Sequence, residues 1–322
     1  MSGKSITSIS DLSKEEIDYL IKNSIKIYNK IKERGVKGIK KVLMDYCLMM
    51  IFLENSTRTR LSFERAMKML GGTVVDLGHI ERSSMAKGEN LRDTIYTIKE
   101  MFIDVIVFRH YITDSAKSIQ KWAHPVPVIN AGDGQNEHPT QALTDLLTIK
   151  FFKKTLDYLN IAIIGDLKTH RVAHSLVQAL GYYNNVLYLI SPPNLNMPKK
   201  YIKKVKSAKL VEIQTIKYEK IKNIIKDIDV IYISPLKPYM DEYYTALNAY
   251  DIPPKETFYV TSKWLSLLKD DSIILHPLPR HGEISENIDS LPQAKYFDQV
   301  KLGLYMKMAI LMYVLLNNID FN

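Results

Sequence analysis

Short runs of β-branched and apolar residues alternate with amphipathic stretches along nearly the whole chain, and this alternation constrains the fold more than any other feature. The strand-like runs are "LMMIFL", "TVVDL", "VIVFR", "PVIN", "IAIIGD", "VLYLIS", "VEIQ", "VIYIS" and "SIILHPL". Between them, apolar residues recur at helical spacing in "RTRLSFERAMKMLG" (Arg58 to Gly71), "ENLRDTIYTIKEMF", "HPTQALTDLLTIKFFKK" and "HRVAHSLVQALG". Gly71 and Gly72 form a stop signal for the first of these. Strands this apolar need cover on both faces, and helices between them supply it. The pattern predicts the α/β class, with parallel sheets flanked by helices. No internal repeat or low-complexity linker interrupts it.

With 322 residues, 46% of them hydrophobic, two domains of roughly 150 residues are expected. The helix starting near Pro139 runs into Phe151, and "DYLNIAIIGDLK" then opens a new strand–loop–helix series. We therefore place one domain at 1–148 and a second at 149–301. The last segment, "GLYMKMAILMYVLLNN", is apolar on most sides. It is expected to be buried, packing back on the first domain as its helix 302–322.

Cys47, the single cysteine, lies in the apolar run "YCLMMIFL". One cysteine builds neither a disulfide framework nor a cysteine metal site, which fits a reducing cytoplasm. No apolar run reaches the roughly 18 residues that span a bilayer, and "MSGKSITSISDLSKEE" reads as a helix cap, not a signal peptide. The net charge of +9 comes from 44 Lys+Arg against 35 Asp+Glu. Many of these lysines fall in "MPKKYIKKVKSAKL" and "KYEKIKNIIKD" (Met197 to Asp227). Apolar residues interleave them at helix-like spacing, which predicts a solvated face and neither a nucleic-acid nor a membrane partner.

In open α/β sheets, ligands sit beyond the carboxyl ends of the strands. In "FLENSTRTRLSFE", Ser56-Thr57-Arg58-Thr59-Arg60 follow a strand and open a helix. Hydroxyls, unbonded N–H groups and guanidinium groups at a helix start can hold an anion; an N-cap serine with surface arginines is the plain alternative. Arg109 ends "VIVFR", as a ligand clamp or an ion-pair partner. "NAGDGQNEHPTQALTD" brings His138 and Gln141 to the first turn of a helix. "ILHPLPRHGE" stiffens a turn with two prolines, which suits carbonyl groups that face a ligand.

Together, Ser56 to Arg60, Arg109, His138-Pro-Thr-Gln141 and His276-Pro-Leu-Pro-Arg280 closely resemble the aspartate/ornithine carbamoyltransferase family. The likeness runs from "GKSITS" to "AKYFDQVKLGLYMKMAIL". "STRTR" and "HPTQ" mark the wider family; "SSMAKGENLRDT", "GDLKTHRVAHSL" and "HPLPRHGEI" favour its aspartate branch, and Pro277 stands where the ornithine branch has a cysteine. The resemblance implies transfer of the carbamoyl group from carbamoyl phosphate to the amino group of L-aspartate, a step of pyrimidine biosynthesis. Neither metal nor other cofactor is needed. It places the phosphate on Ser56, Thr57, Arg58, Thr59 and Arg109. Thr59, Arg109 and His138 would stabilise the oxyanion, with Arg58 completing the catalytic set. Gln141 and the Leu278–Pro279 turn would hold the carbamoyl NH2. Ser84 and Lys87 would reach a neighbouring subunit's site, which implies a homotrimer; regulatory chains stay open. Arg171, Lys237 and Lys87 would bind aspartate.

The pattern breaks in one loop. The aspartate branch usually carries a Thr-Arg-x-Gln-like run after "DVIYIS"; here Ser234-Pro235-Leu236-Lys237 occupies it. Thr169-His170 also replaces the usual pair before Arg171. Three readings follow: an aspartate enzyme in which Lys237, His170 or a displaced group replaces the arginine, a carbamoyltransferase for a different amine, or a non-catalytic relative that binds carbamoyl phosphate or partner subunits. The intact first half of the site, with His138, Gln141 and "HPLP" together, argues against the third.

Overall fold

The computed structural model describes residues 3–78, 84–214, 218–236, 258–261, 264 and 266–316. All nine predicted runs form strands, and every pair of neighbouring strands is parallel. The chain divides into two compact units: Met1–Leu147 with Val300–Asn322, and Thr148–Gln299.

In unit 1 the strands are β1 (Cys47–Phe52), β2 (Thr73–Asp76), β3 (Val105–His110) and β4 (Val128–Asp133), ordered β2-β1-β3-β4. Helices α1 (Lys14–Arg34), α2 (Thr57–Met69), α3 (Leu91–Lys99) and α4 (Ser115–Ala123) accompany them, and α5 (Pro139–Lys153) carries the chain into unit 2. The predicted N-terminal cap is present: Ser13 accepts the N–H of Glu16, whose carboxylate accepts the N–H of Ser13. The apolar faces of α3 and α4 meet the sheet in a core that includes Ile51, Ile95, Ile106, Phe108 and Ile119.

Unit 2 holds β5 (Asn160–Gly165), β6 (Val186–Ser191), β7 (Lys209–Gln214), β8 (Val230–Ser234) and β9 (Ile273–Leu275), ordered β7-β6-β5-β8-β9. Helices α6 (Arg171–Leu180), α7 (Lys199–Ile202) and α8 (Tyr218–Ile225) connect them. Its core centres on Ile164, Ile190, Ile231, Ile233, Trp264 and Ile274. Of the lysine-rich segment, the first run forms the four-residue α7 and then turns into β7, whereas the second forms α8 at the helical spacing expected. Lys199, Lys200, Lys203, Lys204, Lys206 and Lys209 are exposed, as expected of a solvated face.

The last helix, α9 (Tyr296–Leu316), is long and apolar enough by composition to cross a bilayer, yet two thirds of its apolar window is buried inside the protein. Met306, Met308, Ile310, Leu311, Met312 and Val314 are fully enclosed. On the α1 side, Tyr313 bonds Glu16 through its hydroxyl, and Tyr305 meets Tyr28 edge-on. Packing on the first domain is thus what its apolar circumference requires.

Candidate active site

Strand order locates the candidate site in each unit. In unit 1 the order reverses between β1 and β3, and such a switch point opens a crevice beyond the strand ends. Phe52 is in register with Arg109 there, and the N–H of Leu53 donates to the Arg109 carbonyl at 2.8 Å. The chain leaving β1 turns through Glu54 and Asn55 and enters α2 at Thr57. Ser56 is the N-cap, but its side chain makes no capping bond. The first-turn N–H groups are therefore not occupied by the serine, and the helix dipole favours an anion at this point. Thr59 is buried, whereas Thr57 and Arg58 are exposed. Desolvation by surrounding chain lowers the Arg58 pKa, which the guanidinium tolerates without losing its charge.

Arg109 is half-buried and bridges two strand ends. One Nη donates to Glu54 at 2.7 Å, the other to the Ala131 carbonyl of β4 at 3.4 Å. The ion-pair reading of Arg109 is thus met by Glu54, which holds the guanidinium beside the end of β1.

The loop from β4 to α5 is pinned by polar groups that the motif reading passed over. Asn130 donates to the Thr7 carbonyl and to Asp133, and accepts the N–H of Gly132 at 2.7 Å. Asp133 accepts the N–H of Glu137 at 3.0 Å. Burial raises its pKa, while bonds from Asn130 and Asn136 oppose the rise. Glu137 in turn binds the Ser8 hydroxyl and the Ile9 N–H. Gly134 closes the turn at φ +54°, where a Cβ would lie 2.4 Å from the Thr113 nitrogen. Only glycine fits. The result is a fixed entry into α5. His138 is 5% exposed, with Nδ1 3.3 Å from the Thr140 hydroxyl. A proton donated by that hydroxyl puts the ring proton on Nε2, which makes Nε2 the donor of the ring. Gln141, one turn on, donates from Nε2 to Asp145 at 2.8 Å. Ser56 to Thr59, Arg109, His138 and Gln141 therefore follow three adjacent strands of one sheet. Ser84 and Lys87 lie on a 3-10 turn, Ser84–Lys87, and both are exposed.

Unit 2 repeats the logic. Its order reverses between β5 and β8, where Gly165 is in register with Ser234. Gly165 has φ +124°, and a Cβ there would lie 2.0 Å from the Ser234 carbonyl oxygen. Buried Asp166 then accepts the N–H groups of Lys168 and Thr169, each at 2.9 Å, and the Thr169 hydroxyl. This clasp turns the chain into α6, whose first residue is Arg171, half-buried. A cation at a helix N-terminus opposes the dipole. His174, which the motif also quotes, belongs to the packing. It bonds the Leu167 and Lys168 carbonyls and stacks on Tyr201 at 4.1 Å.

On the β8 side, the Ser234 hydroxyl donates to the Asp166 carbonyl at 2.9 Å, and Pro235 is buried. Lys237 lies outside the described residues. Beyond β9, His276 Nδ1 accepts the N–H of Leu278 at 2.8 Å, so Nε2 carries the proton donated to Glu283 at 2.9 Å. Burial alone would raise the Glu283 pKa; the bond from His276 and the backbone bonds reverse that, and it is lowered. This clamp sets the turn in which Leu278 takes φ +54° before the cis Leu278–Pro279 bond. Arg280 is committed to structure: it grips Asp289 with both Nη atoms and lies over Tyr296. Among the described residues no cluster of His, Cys, Asp and Glu could hold a metal ion.

Residues 4–151 match the aspartate/ornithine carbamoyltransferase carbamoyl-P binding domain, and residues 157–314 match the Asp/Orn binding domain of the same family. This chain belongs to the aspartate/ornithine carbamoyltransferase family. The aspartate carbamoyltransferase catalytic subunit of Methanocaldococcus jannaschii is 41% identical over 313 residues, 96% of either chain. That of Thermococcus gammatolerans is 39% identical over 313 residues, again 96% of each. Aspartate transcarbamoylase from Trypanosoma cruzi in complex with carbamoyl phosphate superimposes with a TM-score of 0.88 at 35% identity, covering 98% of this chain and 96% of that one. Its complex with carbamoyl phosphate and aspartate gives 0.85 at 34% identity, covering 98% and 97%.

Proposed function

We propose that this chain is an aspartate carbamoyltransferase, transferring the carbamoyl group of carbamoyl phosphate to L-aspartate with release of phosphate. One observation carries the reading: full-length similarity to aspartate carbamoyltransferase catalytic subunits, at 39–41% identity over 96% of the chain.

The start of α2 and Arg109 receive the phosphate; N–H groups, hydroxyls and guanidinium groups suit a phosphoryl dianion. The neutral aspartate amine attacks the carbamoyl carbon. Thr59, Arg109 and His138 donate to the oxygen that becomes negative, and such prearranged donors lower the barrier without moving. The carbon–nitrogen bond forms, the carbon–oxygen bond to phosphate breaks, and the amine proton leaves with the phosphate. Gln141 and the Leu278–Pro279 turn take the carbamoyl NH2. Arg171 and Lys237 bind aspartate carboxylates. We also propose a homotrimer in which Ser84 and Lys87 serve a neighbouring subunit's site; the exposure of both in the single chain supports this. A cytoplasmic location belongs to the same proposal, resting on the reducing environment that Cys47 favours.

Pro235 favours a second reading, a carbamoyltransferase for another amine. Its buried ring supplies neither charge nor N–H where the aspartate branch usually has arginine. Purified protein is to be assayed with carbamoyl phosphate and a panel of amino acids, following phosphate and ureido product. Turnover with aspartate is expected. Turnover with another amine alone would establish the second reading, and binding without turnover would remove the enzyme assignment.

A further inference from the structure

Behind Gln141, unit 1 contains a buried polar chain to which neither substrate is assigned. Gln141 and Asp145 stand four residues apart on one face of α5. The bond from Gln141 Nε2 to Asp145 Oδ1 fixes how the amide is turned, and Oε1 accepts no hydrogen bond from any described residue. Asp145 is fully buried. Lys307 of α9 is only 6% exposed, among methionines and aliphatic residues, and its Nζ borders the same stretch of α5 at Thr144, the residue before Asp145.

The Lys307 ammonium is held within unit 1 on several sides. Its Nζ donates to the Gly303 carbonyl at 3.3 Å and lies 5.8 Å from the Phe63 ring centre on α2. A Cβ on Gly303 would lie 3.3 Å from that Nζ and 3.1 Å from a Thr144 methyl, so the glycine leaves room for the ammonium beside α5. Burial lowers the Lys307 pKa to about 8, and the charge of Asp145 opposes the fall. A buried ammonium is costly, and helix packing alone would be served by another Met or Leu, as at Met306 and Leu311.

We infer that Lys307 is a positioning residue which, through Asp145, holds the Gln141 amide with Oε1 presented to the carbamoyl NH2 of the donor. Neutralising Lys307 weakens Asp145 as an anchor for Nε2. The amide can then flip and set its own NH2 against that of the ligand, donor against donor. This role rests on the proposed reaction.

The test is a set of cycles with Lys307→Met, Lys307→Arg and Asp145→Asn, alone and combined with Gln141→Ala. Lys307→Met is expected to lower kcat/KM for carbamoyl phosphate about tenfold, with the aspartate KM within about twofold. Lys307→Arg, which keeps the charge, should restore most of the loss. On the Gln141→Ala background, Lys307→Met should cost less than about twofold, because its route of action is gone. Unchanged kinetics in Lys307→Met, or the same tenfold loss without Gln141, overturns the inference. If Lys307→Met does not fold by circular dichroism, the isosteric Asp145→Asn decides through the same cycle. Wild-type protein that binds carbamoyl phosphate but does not carbamoylate aspartate refutes the proposed reaction alone. The cycle is then read in the Kd for carbamoyl phosphate by calorimetry. Wild-type protein that does not bind carbamoyl phosphate overturns both.

Discussion

Arg58 and Lys237 carry opposite expectations. Arg58 stands at the open start of α2, where charge-assisted bonds to phosphate are each worth about 1.5–3 kcal/mol. Arg58→Ala should therefore weaken carbamoyl phosphate binding at least about 100-fold, measured by calorimetry; unchanged binding would undo the phosphate assignment. Lys237→Ala should raise the aspartate KM by about tenfold or more while the carbamoyl phosphate KM stays within about twofold. Equal changes in both would sink the role given to Lys237. The first-contact residues of this chemistry were legible because they sit in short contiguous motifs. Their partners were not. Glu54 beneath Arg109 and Glu283 beneath His276 are paired only by folding, whereas Asp145 beneath Gln141 stands at the i+4 spacing of one helix. A weak local signal existed for Asp166, whose Thr169 three residues on is the spacing of a side-chain-capped turn.

At the level of elements, two features make separate predictions. Gly165 ends β5 where β8 comes closest, in a conformation that L side chains rarely adopt. Gly165→Ala should lower stability by about 3 kcal/mol or more, through backbone strain and the clash with Ser234. A denaturant midpoint equal to wild type would show that the strands can part without cost. The second feature is the turn after β9, which Arg280 and Asp289 tie to the start of α9. Hydrogen bonds from Arg280, opposed by burial and joined by the Tyr296 hydroxyl, hold the Asp289 carboxyl below its usual range. A carboxylate depressed in the folded state contributes stability above its unfolded pKa of about 3.9, and this is lost as pH falls through the folded value. Asp289→Asn should lower Tm by roughly 2 °C at neutral pH, a modest loss because the pair is partly solvated. The gap to wild type should narrow as pH falls below the unfolded value and close once the folded carboxyl is protonated. A gap independent of pH would assign the loss to packing.

Ser84 and Lys87 are exposed on the single chain, while the remaining donor-side residues of unit 1 follow three adjacent strands of one sheet. If subunits share sites, trimers of Lys87→Ala and trimers of Arg58→Ala are each inactive, yet subunit exchange places one intact site in some hybrids. Regained activity of roughly a quarter to a third of wild type is the expected outcome, since effects at a shared site segregate by chain. Hybrids confirmed by mass spectrometry that stay inactive would refute sharing. A mass other than that of a trimer in light scattering would do the same for the assembly.

Local residue patterns dictate the α/β class, all nine strands and the order of the motif-bearing loops. These depend on local periodicity and turn chemistry, which each segment carries within its own residues. Folding decided the rest. Strand order makes Phe52 a neighbour of Arg109, and Gly165 a neighbour of Ser234, across more than 50 residues of chain. The same holds for α9, whose apolar circumference predicted burial but not that its one buried lysine would feel the charge of Asp145. Pairings of this kind are set by which helix faces and strand ends share a volume, and that is a property of packing, not of any single stretch of residues.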